Sequence, residues 1–442
     1  MICGGQRDGA SVNGNAAKRL KFAFSLWYDL ICIPHTLSLT GDHVELTTLN
    51  AFMVHWIALV SPAGAANALW RRMTGYAPRS FSKTRWHSRT ECALDTFKRQ
   101  QYLPEFMSRL QKEGIGDAHT KAMVMIVKEE LPQLILEMAA LKDIGTKIVE
   151  LTFLLEGDKL EILLAYNAVQ AFLVYGESLA DPARNGGLLP STDAELVKLK
   201  AIKVGQTVQR DVQSKLRGGK EVHHGTITSV GDDEVRVDWT GSRPSTRSGD
   251  ATETMTRNEV QALLDAYCDE RRAELVNAFK PALVYLRERI EGNCIDIFSL
   301  EGTMLFCKLV RVFDPSWLAT NLLCFDDEYV KNLCELAPFG PLYDRLRKEA
   351  AAYRAAVADC VIDSTDANTF TEGVLQWWRV NGPKIPAWAE GARICFAFRS
   401  NSAAAERIFS LLKSMFTPQQ AGALMDTVEG SLMMRHNGRG KA

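Results

Sequence analysis

The hydrophobic period of this chain changes at Val204, and that change dictates a composite fold. From Glu91 to about Ala180 apolar residues recur three and four apart, in EFMSRLQKE, KAMVMIVKEELPQLILEMAALKDI and KLEILLAYNAVQAFLVYGESL. That spacing belongs to amphipathic helices that bury one stripe. Pro132, which lacks an N–H, kinks or separates two of them. Residues 181–200, with DPARNGGLLPSTDAELVK, read as a turn-rich connector. The chain then alternates over 204–256: VGQTVQRDV, HGTITSV, the turn Gly231-Asp232-Asp233, and EVRVDWTG. Val235, Val237 and Trp239 fall on one face, and the Gly-Asp-Asp turn suits a hairpin. Gly241 to Ala251 reads as a mobile loop and Thr254 to Thr256 as a short returning strand. Thr256-x-x-Glu259 is a capping box that starts a helix running over Asn258–Ile290, with Pro281 as a kink.

This insert of strand, hairpin with a tryptophan, polar loop and closing strand resembles a small SH3-like or Tudor-like barrel. Such barrels bind peptides, modified lysine tails or nucleic acids, in the lysine case by caging a cation with aromatic rings. Trp239 is the evident aromatic of a ligand face here. A lone ring favours a structural or protein-docking insert over a reader of methyl-lysine.

The C-terminal stretch from Ser400 to Asn437 reads as two helices joined by a tight break. Ser402 can accept a bond from an orphan N–H as N-cap, and Ile408, Leu411, Leu412 and Met415 make one apolar stripe. Glu406 lies off that stripe, beside Phe409, Ser410 and Lys413. Thr417, Pro418 and Gln420 open a second helix whose stripe is Ala421, Leu424, Met425, Val428 and Leu432.

The run SAAAERIFS, the TPQQ break and DTVEGSLMMRHN resemble the C-terminal dimerisation segment of hAT-superfamily transposases, with Arg407 in the ER pair and His436 where an aromatic is usual. Other elements follow in the family's order. Asp8-Gly9-Ala10-Ser11-Val12-Asn13 is similar to the strand end that holds the second catalytic acid. Cys32-Ile33-Pro34-His35-Thr36-Leu37, after a strand over Leu26–Ile33, is similar to the Cys-x-x-His-Thr-Leu element. Thr84-Arg85-Trp86-His87-Ser88, Phe313-Asp314-Pro315 and the Trp377, Trp378, Pro386, Trp388 stretch resemble three further family elements. On the residues alone, the favoured readings are Asp8 as part of a Gly-rich turn, and Cys32 and His35 as a core thiol and a hydrogen-bonded imidazole.

The resemblance implies an RNase H-like catalytic domain in which carboxylates hold two Mg2+ ions for DNA cleavage and strand transfer. It assigns the second acid to Asp8 and the third to Glu406, each as a metal ligand, and leaves Cys32, His35, Trp86 and Arg407 as structural positions. No motif supplies the first acid, so the expectation is an N-terminally truncated or decayed copy that does not transfer strands by itself. The alternative is a domesticated chromatin or transcription regulator that keeps dimerisation and the barrel.

The expected fold is mainly α with an α/β remnant, an incomplete RNase H-like core interrupted by a long all-helical insertion that carries the small β barrel. The expected parts are core at 1–50, helical insertion at 51–200, barrel at 201–256, continued insertion at 257–370, and core with the dimerisation segment at 371–442. Leu424, Val428 and Leu432 are expected to bury against a second copy, as a homodimer or higher oligomer.

With 52 basic and 53 acidic residues the formal charge is −1, so DNA contact falls to local patches and chromatin or peptide contact to the barrel. Ten scattered cysteines without a Cys-x-x-Cys pair, and no secretory signal, point to a reduced intracellular setting, by family the nucleus. The longest apolar run, around Ala51–Val60, is too short to span a bilayer, so no membrane partner is expected.

Overall fold

The computed structural model describes residues 4–7, 19–60, 64–81, 86–115, 118–157, 159–213, 220–240, 251–292 and 301–401. Within them the chain is mainly helical and carries a two-stranded and a four-stranded sheet. It divides into two compact units. One comprises residues 1–40, 148–174 and 284–442, and the other residues 41–147 and 175–283.

In the first unit β1 (Gly4–Arg7) and β2 (Tyr28–Ile31) pair in parallel, with Gly4 opposite Tyr28 and Arg7 opposite Ile31. A two-stranded sheet is marginal alone. Here β2 is anchored to the helix Glu301–Val310: Ile31 N–H donates to Thr303 Oγ1 at 2.9 Å, and the Tyr28 hydroxyl to the Gly302 carbonyl at 3.0 Å.

The core of this unit is aromatic. Phe306, Phe313, Phe339, Tyr353 and Trp388 are fully buried, and the Tyr353 and Trp388 rings lie 4.7 Å apart. Buried tyrosines and tryptophans need partners for their polar ends. Trp378 Nε1 donates to the Phe313 carbonyl at 2.9 Å, Trp388 Nε1 to Leu346 at 3.0 Å, and the Tyr353 hydroxyl to Val312 at 2.5 Å. Asp314 caps the helix Pro315–Thr320, accepting from Ser316 N at 2.9 Å and Trp317 N at 3.2 Å, with Pro315 at the position where a missing N–H costs nothing. Burial raises the Asp314 carboxyl, and these bonds lower it.

In the second unit the helices Ala118–Glu129 and Leu131–Ala140 meet at Glu130, with Pro132 in the first turn of the latter. Glu137 reaches across to start another helix, Thr47–Leu59, which lacks a cap of its own. Its carboxylate accepts from Leu49 N at 2.7 Å and Thr48 N at 3.4 Å, while Thr48 Oγ1 donates to Glu130. A single π turn, Leu141–Gly145, follows. The Trp86 indole fills the space of two absent side chains. A Cβ on Gly41 would lie 2.1 Å from the ring, and one on Gly145 3.1 Å from it.

Residues 181–200 are helical rather than a connector. Asp181 caps the helix Pro182–Leu188 through Ala183 N at 3.0 Å. The next helix, Pro190–Lys200, is capped from the π turn, as Asp143 accepts from Ser191 N, Thr192 N and Thr192 Oγ1 at 2.8 to 3.0 Å. Proline that suggests turns in sequence occupies the first helical turn in both.

Four antiparallel strands, β3 (Thr207–Gln213), β4 (Lys220–Val230), β5 (Glu234–Thr240) and β6 (Ala251–Thr256), lie side by side in chain order. The hairpin closes through Gly231 N–H on the Glu234 carbonyl at 2.8 Å. β3 and β6 do not pair with each other among the described residues, so the sheet is open. Thr256 and Glu259 complete both arms of a capping box at the start of the helix Arg257–Ala278, whose Val260 and Leu264 cover the sheet's apolar face. Residues 241–250, expected to be a loop, lie outside the described residues.

Among the described residues one helix, Glu161–Leu179, is long and apolar enough to cross a membrane, and it exceeds the Ala51–Val60 run in length. It buries Ile162, Leu163, Ala165, Val169 and Phe172 in protein, as a core helix does.

Candidate functional site

Three chain segments of the first unit converge beyond the C-terminal end of β2. Because β1 and β2 are parallel and in register, Arg7 and Ile31 stand at the same end of the sheet. Ile33 N–H, two residues past β2, donates to the Ser400 carbonyl at 3.2 Å. The third segment is the loop between the helices Thr146–Leu155 and Glu161–Leu179.

That loop holds Ser400 and Asn401 through its carbonyls. The last turn of any helix leaves carbonyls without intrahelical partners. Ser400 Oγ donates to the Leu155 carbonyl at 2.9 Å, and Asn401 Nδ2 to those of Leu155 and Gly157 at 2.8 and 2.9 Å. Arg399 adds a bond to the Lys159 carbonyl at 2.8 Å, and Leu160 N–H donates to Thr371 Oγ1 at 3.2 Å. Ser400 and Asn401 are buried. Glu161, 1% exposed, turns its carboxylate onto Lys159 N.

Asp8 and Glu406, the expected metal-ligating acids, lie outside the described residues, as do Arg407, Leu424, Val428 and Leu432. Among the described residues, Arg7 pairs with Ile31, and Ser400 accepts from Ile33. Among the described residues no three His, Cys, Asp or Glu side chains gather to hold a metal ion. Cys32 is buried at the strand end, and its carbonyl accepts from Thr36 N and Oγ1. His35 is half-buried in the first turn of the helix Ile33–Asp42. Trp86 sits against Gly41 and Gly145.

The assignment of Trp239 to a ligand face is corrected by the sheet. Trp239 is 5% exposed and packs with Val208, Ile227, Val235 and Val237 under Val260 and Leu264. Alternation places it on the helix-covered side, and its ring takes the space a Cβ on Gly225 would need, 2.7 Å away. The opposite face carries exposed Thr226, Arg236, Thr252 and Thr254.

Sequence reasoning missed Asn401, Glu161 and Thr303, the residues that fasten the convergence. None stands on a periodic stripe. The polar pair Ser400-Asn401, just ahead of a helix-forming run, is the one local signal.

Residues 360–437 match the family model of the hAT family C-terminal dimerisation region. The described part of that match includes the helices Ala367–Asn381 and Pro386–Phe396, which supply Trp378 and Trp388 to the aromatic core. No curated protein matches the chain.

Proposed function

We propose, from a C-terminal part that is that of an hAT-family transposase, that this chain is a transposase-derived protein that associates with DNA as a homodimer or higher oligomer. The observation that carries the reading is the match over 360–437. Further support comes from the pairing of Arg7 with Ile31 and the bond from Ile33 to Ser400, which bring the described segments 4–7, 28–33 and 399–401 together. In this reading β1 and β2 belong to an RNase H-like core, and Asp8 and Glu406 are carboxylates suited to a hard cation such as Mg2+. When bound, the metal would supply activation of an attacking oxygen. With two motif-assigned acids rather than three, the chain alone does not carry out strand transfer.

Leu424, Val428 and Leu432 form the self-association stripe of this reading, and its setting is the nucleus. Size-exclusion chromatography with light scattering on the full chain and on Leu424→Asp with Val428→Asp tests it. A dimer that becomes a monomer supports the reading; a wild-type monomer overturns it. Mg2+-dependent nicking or joining of DNA ends by the chain alone would overturn the loss of catalysis.

A second reading, a chromatin or transcription regulator, is favoured by the β3–β6 sheet, which has its own core and an uncovered polar face. With Trp239 buried, a peptide partner would meet threonines and Arg236 rather than an aromatic cage.

A further inference from the structure

Arg311 stands between two aromatic rings of the first unit. Its guanidinium lies 4.4 Å from the centre of the Tyr166 ring and 4.6 Å from that of Trp317. Two hydrogen bonds clamp it there: Nε donates to the Lys308 carbonyl at 3.1 Å and Nη1 to Asn167 Oδ1 at 2.6 Å. Nη2 takes no part in these bonds. A third ring, Tyr329, lies 6.3 Å from Trp317 and is fixed by its hydroxyl, which donates to the Leu309 carbonyl at 2.8 Å. Arg311 and the three rings are half-buried, so each keeps part of its surface in solvent.

The charge of Arg311 is not cancelled locally. Burial lowers the guanidinium, and the groups whose charge opposes that are Tyr329, Tyr166, Cys307 and Cys324, none of them a carboxylate. The acids beside Tyr329 in the chain are engaged: Asp326 accepts from Tyr329 N at 2.8 Å, Asp327 pairs with Arg347 at 3.3 Å, and Glu328 pairs with Lys331 at 3.7 Å. Lys308, one turn before Arg311, is exposed. A guanidinium held in place is a fork for phosphate, and aromatic rings beside it are surfaces on which bases stack. Bases inside a duplex already stack on one another, so such rings serve an unpaired strand. An acidic peptide would use the cation and leave the rings idle.

We propose that Arg311, Tyr166 and Trp317 form a contact for single-stranded DNA, with a phosphate on the guanidinium and a base on the Trp317 ring. The proposal rests on the reading that the chain associates with DNA, and it names a surface and a strand state that this reading leaves open.

Fluorescence anisotropy of the full chain with a labelled oligothymidine of about 15 nucleotides tests it, against the matching duplex and a labelled oligoglutamate. The single strand should bind tightest of the three. Trp317→Ala should weaken that binding about tenfold and leave its salt dependence unchanged, while Trp317→Phe, which keeps a stacking ring, should bind as the wild type does. Arg311→Gln should weaken binding and lower the slope of log affinity against log salt by about 0.7, the share of one phosphate on a single strand. Arg311→Lys should keep that slope, and the two conservative variants separate loss of contact from loss of fold. Undiminished binding by Trp317→Ala or Arg311→Gln, or a preference for the duplex or the oligoglutamate, overturns the site and leaves DNA association standing. No binding of either DNA by the wild type overturns that reading and the site with it.

Discussion

Asn401 donates its side-chain amide to the carbonyl of Leu155 at 2.8 Å, tying residue 401 to the last residue of the helix Thr146–Leu155. The bond is buried, and a second one from the same amide reaches Gly157. Replacing Asn401 with Ala removes both bonds, leaving the Leu155 carbonyl with Ser400 Oγ alone and the Gly157 carbonyl without this donor, so a loss of about 1–3 kcal/mol is expected by urea unfolding. Asn401→Asp should cost more, because it sets an anion against two carbonyls. Equal stability of wild type and Asn401→Ala would refute the role.

Glu137 is 4% exposed, and burial raises its carboxyl, partly offset by the bonds from Leu49, Gln133 and Thr48. An acid raised on folding keeps its proton in the folded chain over a range where the unfolded chain has released it. Its contribution is therefore full below the ordinary carboxylate range and is lost as pH rises through the folded value. Glu137→Gln should remove that loss. Its amide can be met by turning Gln133, whose Oε1 has no hydrogen-bond partner among the described residues. The variant should equal or exceed the wild type in stability at pH 8 and fall behind on acidification. Thermal unfolding between pH 5 and 8 would show a converging pair of curves; parallel curves would contradict the assignment.

Gly41→Ala places a methyl 2.1 Å from the Trp86 ring, where backbone and indole are both fixed. A cost of about 1–3 kcal/mol or more is expected from overpacking. Gly75→Ala meets nothing within 4 Å but holds φ at +77°, so it should cost about 1 kcal/mol through backbone strain alone. Adding Trp86→Phe to Gly41→Ala should recover part of the loss, which separates the steric cause from a backbone one. Differential scanning calorimetry on the three variants provides the comparison.

Trp239→Ala should destabilise by about 3–5 kcal/mol, as loss of a buried indole does, and should release the β3–β6 sheet from its helix. Near-ultraviolet circular dichroism would register the change. Titration with a trimethyl-lysine peptide should give no response that depends on Trp239. A Trp239-dependent binding isotherm would restore the ring to a ligand face.

Features set by neighbouring residues were legible in the sequence. The Thr256–Glu259 capping box, the Gly231–Asp233 hairpin and the breaks at Pro132 and Pro281 depend on contacts within a few positions. So does the alternation of Val235, Val237 and Trp239. Which side of that alternation is covered is decided by Val260 and Leu264 on the following helix, and period alone does not tell an inner face from an outer one. Residues 190–200 were misjudged for the same reason: their cap comes from Asp143, nearly fifty positions earlier. At the candidate site, Ser400 and Asn401 meet partners at 33, 155 and 157, and no local pattern encodes that meeting.

The hydrogen bond from Trp378 to Phe313, with that from Trp388 to Leu346, has a practical meaning for anyone cutting this chain. The segment recognised by homology begins at residue 360, yet two of its indoles are seated among residues that precede it. The border of kinship and the border of folding are different borders. A fragment excised along the first would carry two wet tryptophans and clump for reasons unrelated to its native pairing. Only the intact polypeptide, or one cut well upstream of Val312, can report how two copies recognise each other.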